Sequence, residues 1–326
     1  MKTETLARLA EKLKKASEVA LFSHVSPDGD CIGSMLAIGL ALEELGKKVE
    51  FYNPDPLPQN LAFLPGASRI SVWSQGALPQ TLLFVDCADL RRASVDSTQL
   101  PSQAICLNLD HHISNENFGH VNLVDPEAAA SGELAFDLIR ELGVPLNREL
   151  AENLYTAILT DTGSFQYGNT TAKTHRVAAE LIAVGIDIVS IHHEIYDQKP
   201  LAQVRLLQRA LASLEIYAEG QLGMMSLSLA DYAASGAGDE LSEGLVNHVR
   251  TIQGVEAAVL LREVETGKVK VGLRSNIWLN VNEVAARFGG GGHKRAAGCT
   301  IPASLQEAKS LIRASIEEAL QVGRGH

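Results

Sequence analysis

Carboxylates and imidazoles gather at a few places in this sequence. The run His24-Val25-Ser26-Pro27-Asp28-Gly29-Asp30 sets one imidazole and two carboxylates close together. Asp86 closes one apolar run, and Asp110 closes another and is followed by His111 and His112. Asp161 comes after a helical pattern. Two divalent cations held ~3.5–4 Å apart need a bridging carboxylate and several terminal ligands, and would acidify a shared water and neutralise a phosphate under attack. Mixed carboxylate and imidazole ligation suits Mn²⁺, with Mg²⁺, Co²⁺ or Zn²⁺ compatible. Each residue alone has a plainer reading. Asp30 is a helix cap, the other aspartates are turn or helix-end residues, and the histidines pack in a core. Four separate segments carrying the same chemistry point to a metal pair.

A second constellation lies near the other end. Gly289, Gly290, Gly291 and Gly292 precede His293, Lys294 and Arg295. Glycines let a backbone approach an anion closely and turn N–H groups toward it. Arg274 and Ser275 end a strand pattern nearby in sequence. Arg274 can grip a phosphate with two parallel bonds while Ser275 donates beside it.

These residues need elements to hold them. Residues 18–24, 48–53, 81–86 and 104–110 read as strands, the last two as short apolar runs typical of buried parallel strands. Helical patterns cover 32–46, 131–143 and 148–160. Alternation of this kind predicts an α/β fold, a parallel sheet with helices on both faces. Ligands then collect beyond the carboxyl ends of the strands, where the acidic residues fall. Residues 172–184, 187–197 and 200–213 read as successive helices. Beyond them, strand patterns at 215–229 and 255–275 alternate with short helices near 242–250 and 280–288 and a long one at 304–320. The expected organisation is a catalytic domain over 1–190, a helical linker over 191–213 and a smaller α+β domain over 214–326.

The chain of 326 residues carries a formal charge of −11, which argues against a protein that grips long nucleic acid through a basic footprint. Acidic ligands account for part of that charge, and a small anionic substrate needs only a local cationic pocket. The cysteines, Cys31, Cys87, Cys106 and Cys299, are scattered and form no CxxC pair, so reduced buried thiols are expected rather than a zinc ribbon or disulfides. No apolar run approaches the ~18 residues of a membrane span. The first residues lack a signal-peptide core. A cytoplasmic protein is expected.

The segments HVSPDGDCIGS, FVDCAD, NLDHH and ILTDTGSF resemble the four motifs of the DHH phosphoesterases, in order. The resemblance spans most of 18–185. It implies that His24, Asp28 and Asp86 bind one metal and that Asp30, Asp86, His111 and Asp161 bind the other, with Asp86 shared. It makes His112 a catalytic group facing the scissile phosphate or leaving oxygen, and Asp110 its or its neighbour's orienting carboxylate. The glycine run with His293, and the Arg274–Ser275 strand end, resemble the substrate-binding DHH-associated domain. In that reading Arg274, Ser275, Gly290, Gly291, Gly292 and His293 hold substrate. A related domain occurs in alanyl-tRNA synthetases, so it does not by itself imply a nuclease. The compact arrangement resembles the nanoRNase group, which degrades short RNA and removes the 3′-phosphate of 3′-phosphoadenosine 5′-phosphate. Short RNA oligonucleotides and 3′-phosphorylated nucleotides are the implied partners, and a homodimer is a compatible assembly. Two alternatives stand beside this: a phosphodiesterase for linear diadenylate, and a nucleotide-sensing module without turnover.

Overall fold

A computed structural model describes residues 2–73 and 77–323. The chain divides into two compact units, one ending at Gln198 and one starting at Lys199. In the first, α1 (Lys2–Lys15), β1 (Glu18–Phe22), α2 (Gly29–Glu44), β2 (Lys48–Asn53), β3 (Ile70–Val72), β4 (Thr81–Val85), β5 (Ile105–Asp110) and β6 (Val121–Val124) are followed by α3 (Ser131–Leu142), α4 (Arg148–Asp161), α5 (Ala172–Ala183) and α6 (Ile188–His192). The six strands form one parallel sheet in the order β3-β2-β1-β4-β5-β6.

The chain runs outward from β1 in one direction, returns to β4 beside β1, and runs outward in the other. β1, β4 and β5 are therefore neighbours at the point where the direction reverses, and ligands collect there in such sheets. Alternation along the strands sorts the two faces. Val19, Leu21, Leu83 and Val85 enter a core built with the helices, including Leu9, Ile32, Leu36, Leu134 and Leu154. Ala20, Phe22, Leu82 and Phe84 enter a smaller core with Cys87, Ala93, Val95 and Cys106.

Helices were expected on both faces, and here the structure differs. No residue of the smaller core belongs to an α-helix. The connection from β4 to β5 holds only the short 3₁₀ turn Ser97–Gln99, with the Asp96 side chain capping it. That connection still crosses the second face, packing Cys87, Ala93 and Val95 against it. Its sequence, rich in turn residues and lacking a helical apolar stripe, covers the face as irregular chain. Aromatic packing compensates: Phe22 stacks on Phe84 at 5.2 Å and meets Trp73 edge-on.

The second unit contains α7 (Leu201–Ala212), β7 (Glu215–Tyr217), β8 (Leu222–Leu227), α8 (Leu229–Ser235), α9 (Val246–Arg250), β9 (Ala257–Glu265), β10 (Lys268–Ser275), α10 (Val281–Ala286), β11 (Gly291–His293), β12 (Ala296–Ile301) and α11 (Leu305–Gly323). Its sheet runs β11-β12-β10-β9-β8-β7, antiparallel except between β8 and β9. This is an α+β arrangement. One face packs on α10 and α11 through Val284, Ile312 and Ile316. The other packs on α7 and α9 through Leu206, Ala210, Val246 and Val249. The stretch 191–213, expected as a linker, is thus divided: residues up to Gln198 belong to the first unit, and α7 is buried into the second. Among the described residues no helix is long and apolar enough to cross a membrane.

α2 and α4 pack unusually closely, and that contact positions the site. A side chain at Gly33 would meet the Asn153 carbonyl oxygen at 2.4 Å, and one at Gly29 would meet Thr160 at 2.4 Å. The two glycines, one turn apart, let the amino end of α2 lie against the carboxyl end of α4. Asp30 and Asp161 ride on those ends. Gly33→Ala is therefore expected to force the helices apart, costing about 1–3 kcal/mol of stability and weakening metal binding. Urea unfolding and calorimetric Mn²⁺ titration check this; an unchanged midpoint with unchanged affinity would show that the close approach is incidental.

Candidate metal centre

The site forms where three neighbouring strands end. His24 follows β1, Asp86 follows β4, and Asp110 ends β5 with His111 and His112 directly after it. The sheet brings these together because β1, β4 and β5 pair side by side. Asp86 takes a left-handed backbone conformation, φ 58°. A non-glycine residue rarely adopts this, and its cost is sustained only where the surroundings impose it.

Asp86 faces two ways. Its Oδ2 lies 3.2 Å from His24 Nε2, and its Oδ1 lies 3.6 Å from His111 Nε2. His24 Nε2 is also 3.8 Å from Asp28. His111 Nε2 is 3.6 Å from both Asp30 and Asp161. The six residues form two lobes that meet at Asp86. Backbone carbonyls set both imidazoles. His24 Nδ1 donates to the Val25 carbonyl at 2.7 Å, and His111 Nδ1 donates to the Ala128 carbonyl at 3.2 Å. A carbonyl only accepts, so Nδ1 carries a proton, and the inward-turned Nε2 can donate to a carboxylate or, once its own proton is lost, offer its lone pair to a cation. This is how ligating histidines are commonly oriented.

The carboxylates are held by donors. Sequence reasoning offered Asp30 as a helix cap, but Asp28 fills that role for α2, accepting from the Cys31 N–H at 3.0 Å. Asp30 instead accepts from the Ser131 and Gly132 N–H groups at 2.7 and 2.9 Å. These are orphan donors at the start of α3, whose own cap residue, Ala130, provides no side-chain bond. Ser131 Oγ donates to Asp86 at 2.8 Å. Ser131 was missed from sequence; the Ala-Ala-Ala run before it carries no sign that its cap comes from another helix.

His112 belongs to a different arrangement. Its Nδ1 donates to Asp110 at 2.7 Å, and Asp110 accepts in turn from Asn115 at 2.6 Å. Asp110 is fully buried. This leaves Nε2 as the working atom of His112. Burial lowers the proton affinity of His112, but the Asp110 bond and the Asp86 charge outweigh it and raise the pKa to about 9. Burial drives Asp161 up to about 6 against the attraction of His111. Asp30 is pushed well above the usual range by burial and by Asp86 and Asp161. Burial also pushes Asp86 upward, but the His24 bond and the charges of His111 and His112 hold it low.

Among the described residues three groups of side chains could hold a cation: His24 with Asp28 and Cys31, Asp86 with His111 and His112, and Asp30 with His111 and Asp161, the last two sharing His111. The donors fit hard or intermediate divalent ions. Cys31 lies close, but burial and the charges of Asp28 and Asp86 keep it a neutral thiol. All four cysteines are buried and unpaired.

The second unit places the remaining candidates on one sheet. His293, Ala296 and Arg274 pair across β11, β12 and β10, so they share a row and a face. The next row on that face is Gly291, Gly298 and Gly272. The glycine run is less a loose loop than an edge strand. A side chain at Gly290 would meet the Gly298 carbonyl at 2.2 Å, and Gly292 has φ 147°. Ser275 does not stand beside Arg274 as an open donor. It is buried, and its hydroxyl donates to the Leu279 carbonyl at 2.7 Å. It closes the turn after β10. Glu256, also missed from sequence, accepts from the N–H groups of Ile277, Trp278 and Leu279 and fixes the same turn.

With this geometry known, comparison with other proteins becomes specific. Residues 18–158 match the DHH family, N-terminal domain, and residues 229–321 match the DHHA1 domain. A bifunctional oligoribonuclease and PAP phosphatase NrnA from Thermus thermophilus is 35% identical over 96% of this chain and 94% of its own length. The chain belongs to the DHH phosphoesterases, in the NrnA-like group. The Bacillus subtilis protein of the same name is 29% identical over 92% of this chain and 93% of its own length. The crystal structure of an exopolyphosphatase-related protein from Bacteroides fragilis superposes with a TM-score of 0.89 at 27% identity, covering 97% of this chain and 96% of that one.

A DHH phosphoesterase is a metal-dependent hydrolase, and the raised Asp30 and Asp161 groups make a prediction about uptake. In the metal-free protein Asp161 holds a proton below about 6, which a cation taken up by its carboxylate would displace. Affinity for Mn²⁺ is expected to rise as pH climbs through ~6, with protons released on binding. Calorimetry in buffers of different ionisation enthalpy measures the release; none on either side of that pH would contradict the assignment.

Proposed function

We propose that this chain hydrolyses short oligoribonucleotides to mononucleotides and removes the 3′-phosphate from 3′-phosphoadenosine 5′-phosphate to give AMP. The observation that carries the reading is Asp86, with one carboxylate oxygen toward His24 and the other toward His111. The full-length relatives named for both activities support the substrate class. His24, Asp28 and Asp86 would hold one divalent cation, and Asp30, Asp86, His111 and Asp161 the other. The oxygen-rich donor set favours Mn²⁺, with Mg²⁺ or Co²⁺ compatible. When bound, the cations supply charge neutralisation and acidify the attacking water. Unpaired buried cysteines suit a reducing compartment such as the cytoplasm.

The chain's own groups do the rest. Asp86 spans both lobes and fixes their spacing. Asp110 aims His112 so that Nε2 can give its proton to the departing oxygen, which leaves as an alcohol while water completes the phosphate. Arg274 and His293, sharing one sheet face, would take a terminal phosphate away from the bond being cut. The Gly291, Gly298 and Gly272 row beside them leaves room for an anion to approach the backbone.

A product time course on labelled RNA tests the reading: a dinucleotide and a pentanucleotide should vanish faster than a long strand, and 3′-phosphoadenosine 5′-phosphate should yield AMP. In parallel, Asp86→Ala should abolish most turnover and lower bound Mn²⁺ toward one or none. Near-normal turnover with two bound metals would remove Asp86 from the shared position.

The clamp is separable from the chemistry. Arg274→Ala strips a charge-assisted contact worth ~1.5–3 kcal/mol, so kcat/KM for short 5′-phosphorylated RNA should fall roughly ten- to a hundredfold. A small generic diester should be hydrolysed almost as before, with both metals retained. Equal losses on the two substrates would place Arg274 at the scissile phosphate instead.

A further inference from the structure

Arg91 and Arg92 stand side by side and meet different fates. Arg91 is exposed and pairs with Asp89 and Glu116. Arg92 is half-buried. Its Nε is shut off from solvent and has no hydrogen-bond partner. None of the ion pairs among the described residues involves Arg92, although carboxylates crowd the neighbouring metal site. Those carboxylates are committed elsewhere: Asp110 to His112 and Asn115, Asp86 to His24 and Ser131, Asp30 to the start of α3.

The backbone fastens Arg92 beside the turn that carries His24. Its N–H donates to Asp89 at 3.0 Å, and its carbonyl accepts from the Val25 N–H at 2.7 Å, one residue after His24. The loop that follows His112 is laced to the same turn. The Glu116 N–H donates to the Ala88 carbonyl at 2.9 Å, and Asn115 donates to the Cys87 carbonyl at 3.2 Å. The turn bearing Arg92 is therefore fastened between the His24 turn and the His112 loop. The Arg92 charge opposes protonation of His112, which places the guanidinium within electrostatic range of that imidazole. A buried charged donor is costly without an acceptor, and among the described residues none is supplied to Nε.

We propose that Arg92 is a catalytic residue that grips the non-bridging oxygens of the scissile phosphate beside His112. The assignment rests on reading the cluster as a phosphoesterase centre. A guanidinium presents a planar fork of donors that matches two phosphate oxygens at once, and it keeps its charge at any working pH. Aimed in advance at oxygens whose charge changes during hydrolysis, it would stabilise the transition state without reorganising. Its place differs from that of Arg274: Arg92 acts on the phosphate being cut, so every substrate needs it.

The test uses the Mn²⁺-loaded full chain, a small generic phosphodiester and a short RNA. Arg92→Ala should lower kcat on both substrates by about a hundredfold, with two metals bound and the thermal midpoint unchanged. Free guanidinium, added below denaturing concentrations, should restore part of the activity; a purely structural role would not respond. Arg92→Lys, which keeps the charge and loses the fork, should fall between. Wild-type turnover numbers in Arg92→Ala, loss of a metal, or a deficit that tracks lowered stability without rescue would each overturn the assignment. Cleavage of the generic diester with no cleavage of short RNA by the wild type would defeat the proposed substrate class, and the diester would still judge Arg92.

Discussion

Five carboxylates, on Asp28, Asp30, Asp86, Asp110 and Asp161, converge at one end of a parallel sheet, and their mutual repulsion is the constraint that the rest of the first unit answers. Three of them, Asp30, Asp86 and Asp110, are essentially without solvent. Burying an unpaired carboxylate is prohibitive unless donors or opposite charges meet it. The fold supplies them from several directions. α3 gives two N–H groups and a hydroxyl, His24 and His111 give imidazoles, and Asn115 gives an amide. The upward drift of Asp30 and Asp161 shows that these donors do not fully compensate. The residual repulsion makes the cluster receptive to cations.

That constraint also explains why helix packing here is so close. Asp30 can reach the start of α3 only if α2, α3 and α4 meet near their ends. Gly33 against Asn153 and Gly132 against Ala157 remove the side chains that would separate them. The glycines and the acidic residues are thus one design. The former bring helix ends together, and the latter occupy the point where the ends meet. The left-handed conformation of Asp86 belongs to the same set. A straight continuation of β4 would carry its side chain to one face of the sheet, whereas the turned backbone lets the two oxygens address imidazoles from different strands.

Much of this was legible in the sequence, for a physical reason. Short apolar runs ending in Asp declare both a buried parallel strand and what stands at its carboxyl end, so β4 and β5 carried their function on their tips. The order of the sheet was not written locally, and neither were its three- and four-residue edge strands, β3 and β6, too short for any pattern. Covering of the second face by irregular chain was missed because apolar residues such as Val95 and Leu100 have no helical period. Asp30 illustrates the deeper limit. A carboxylate at a helix start reads as that helix's own cap, and only the fold shows it serving the start of α3 instead. Ser275 fails for the same reason, since its hydroxyl is consumed by a carbonyl four residues on.

The charge balance of the whole chain bears on substrate size. A net charge of −11 repels a polyanion, and each added phosphate on a long strand adds to the penalty unless a basic surface meets it. A very short oligonucleotide brings few phosphates, and screening confines the repulsion to about 10 Å at moderate ionic strength. Local cationic groups then need only exceed a small background. His293, Lys294 and Arg295 stand together on the exposed turn between β11 and β12, and His293 shares its row with Arg274. A chain of this net charge opposes substrates that must trail charge across its surface, whereas one with few phosphates meets little of that repulsion. Preference for short RNA then follows from long-range repulsion as much as from any contact at the site.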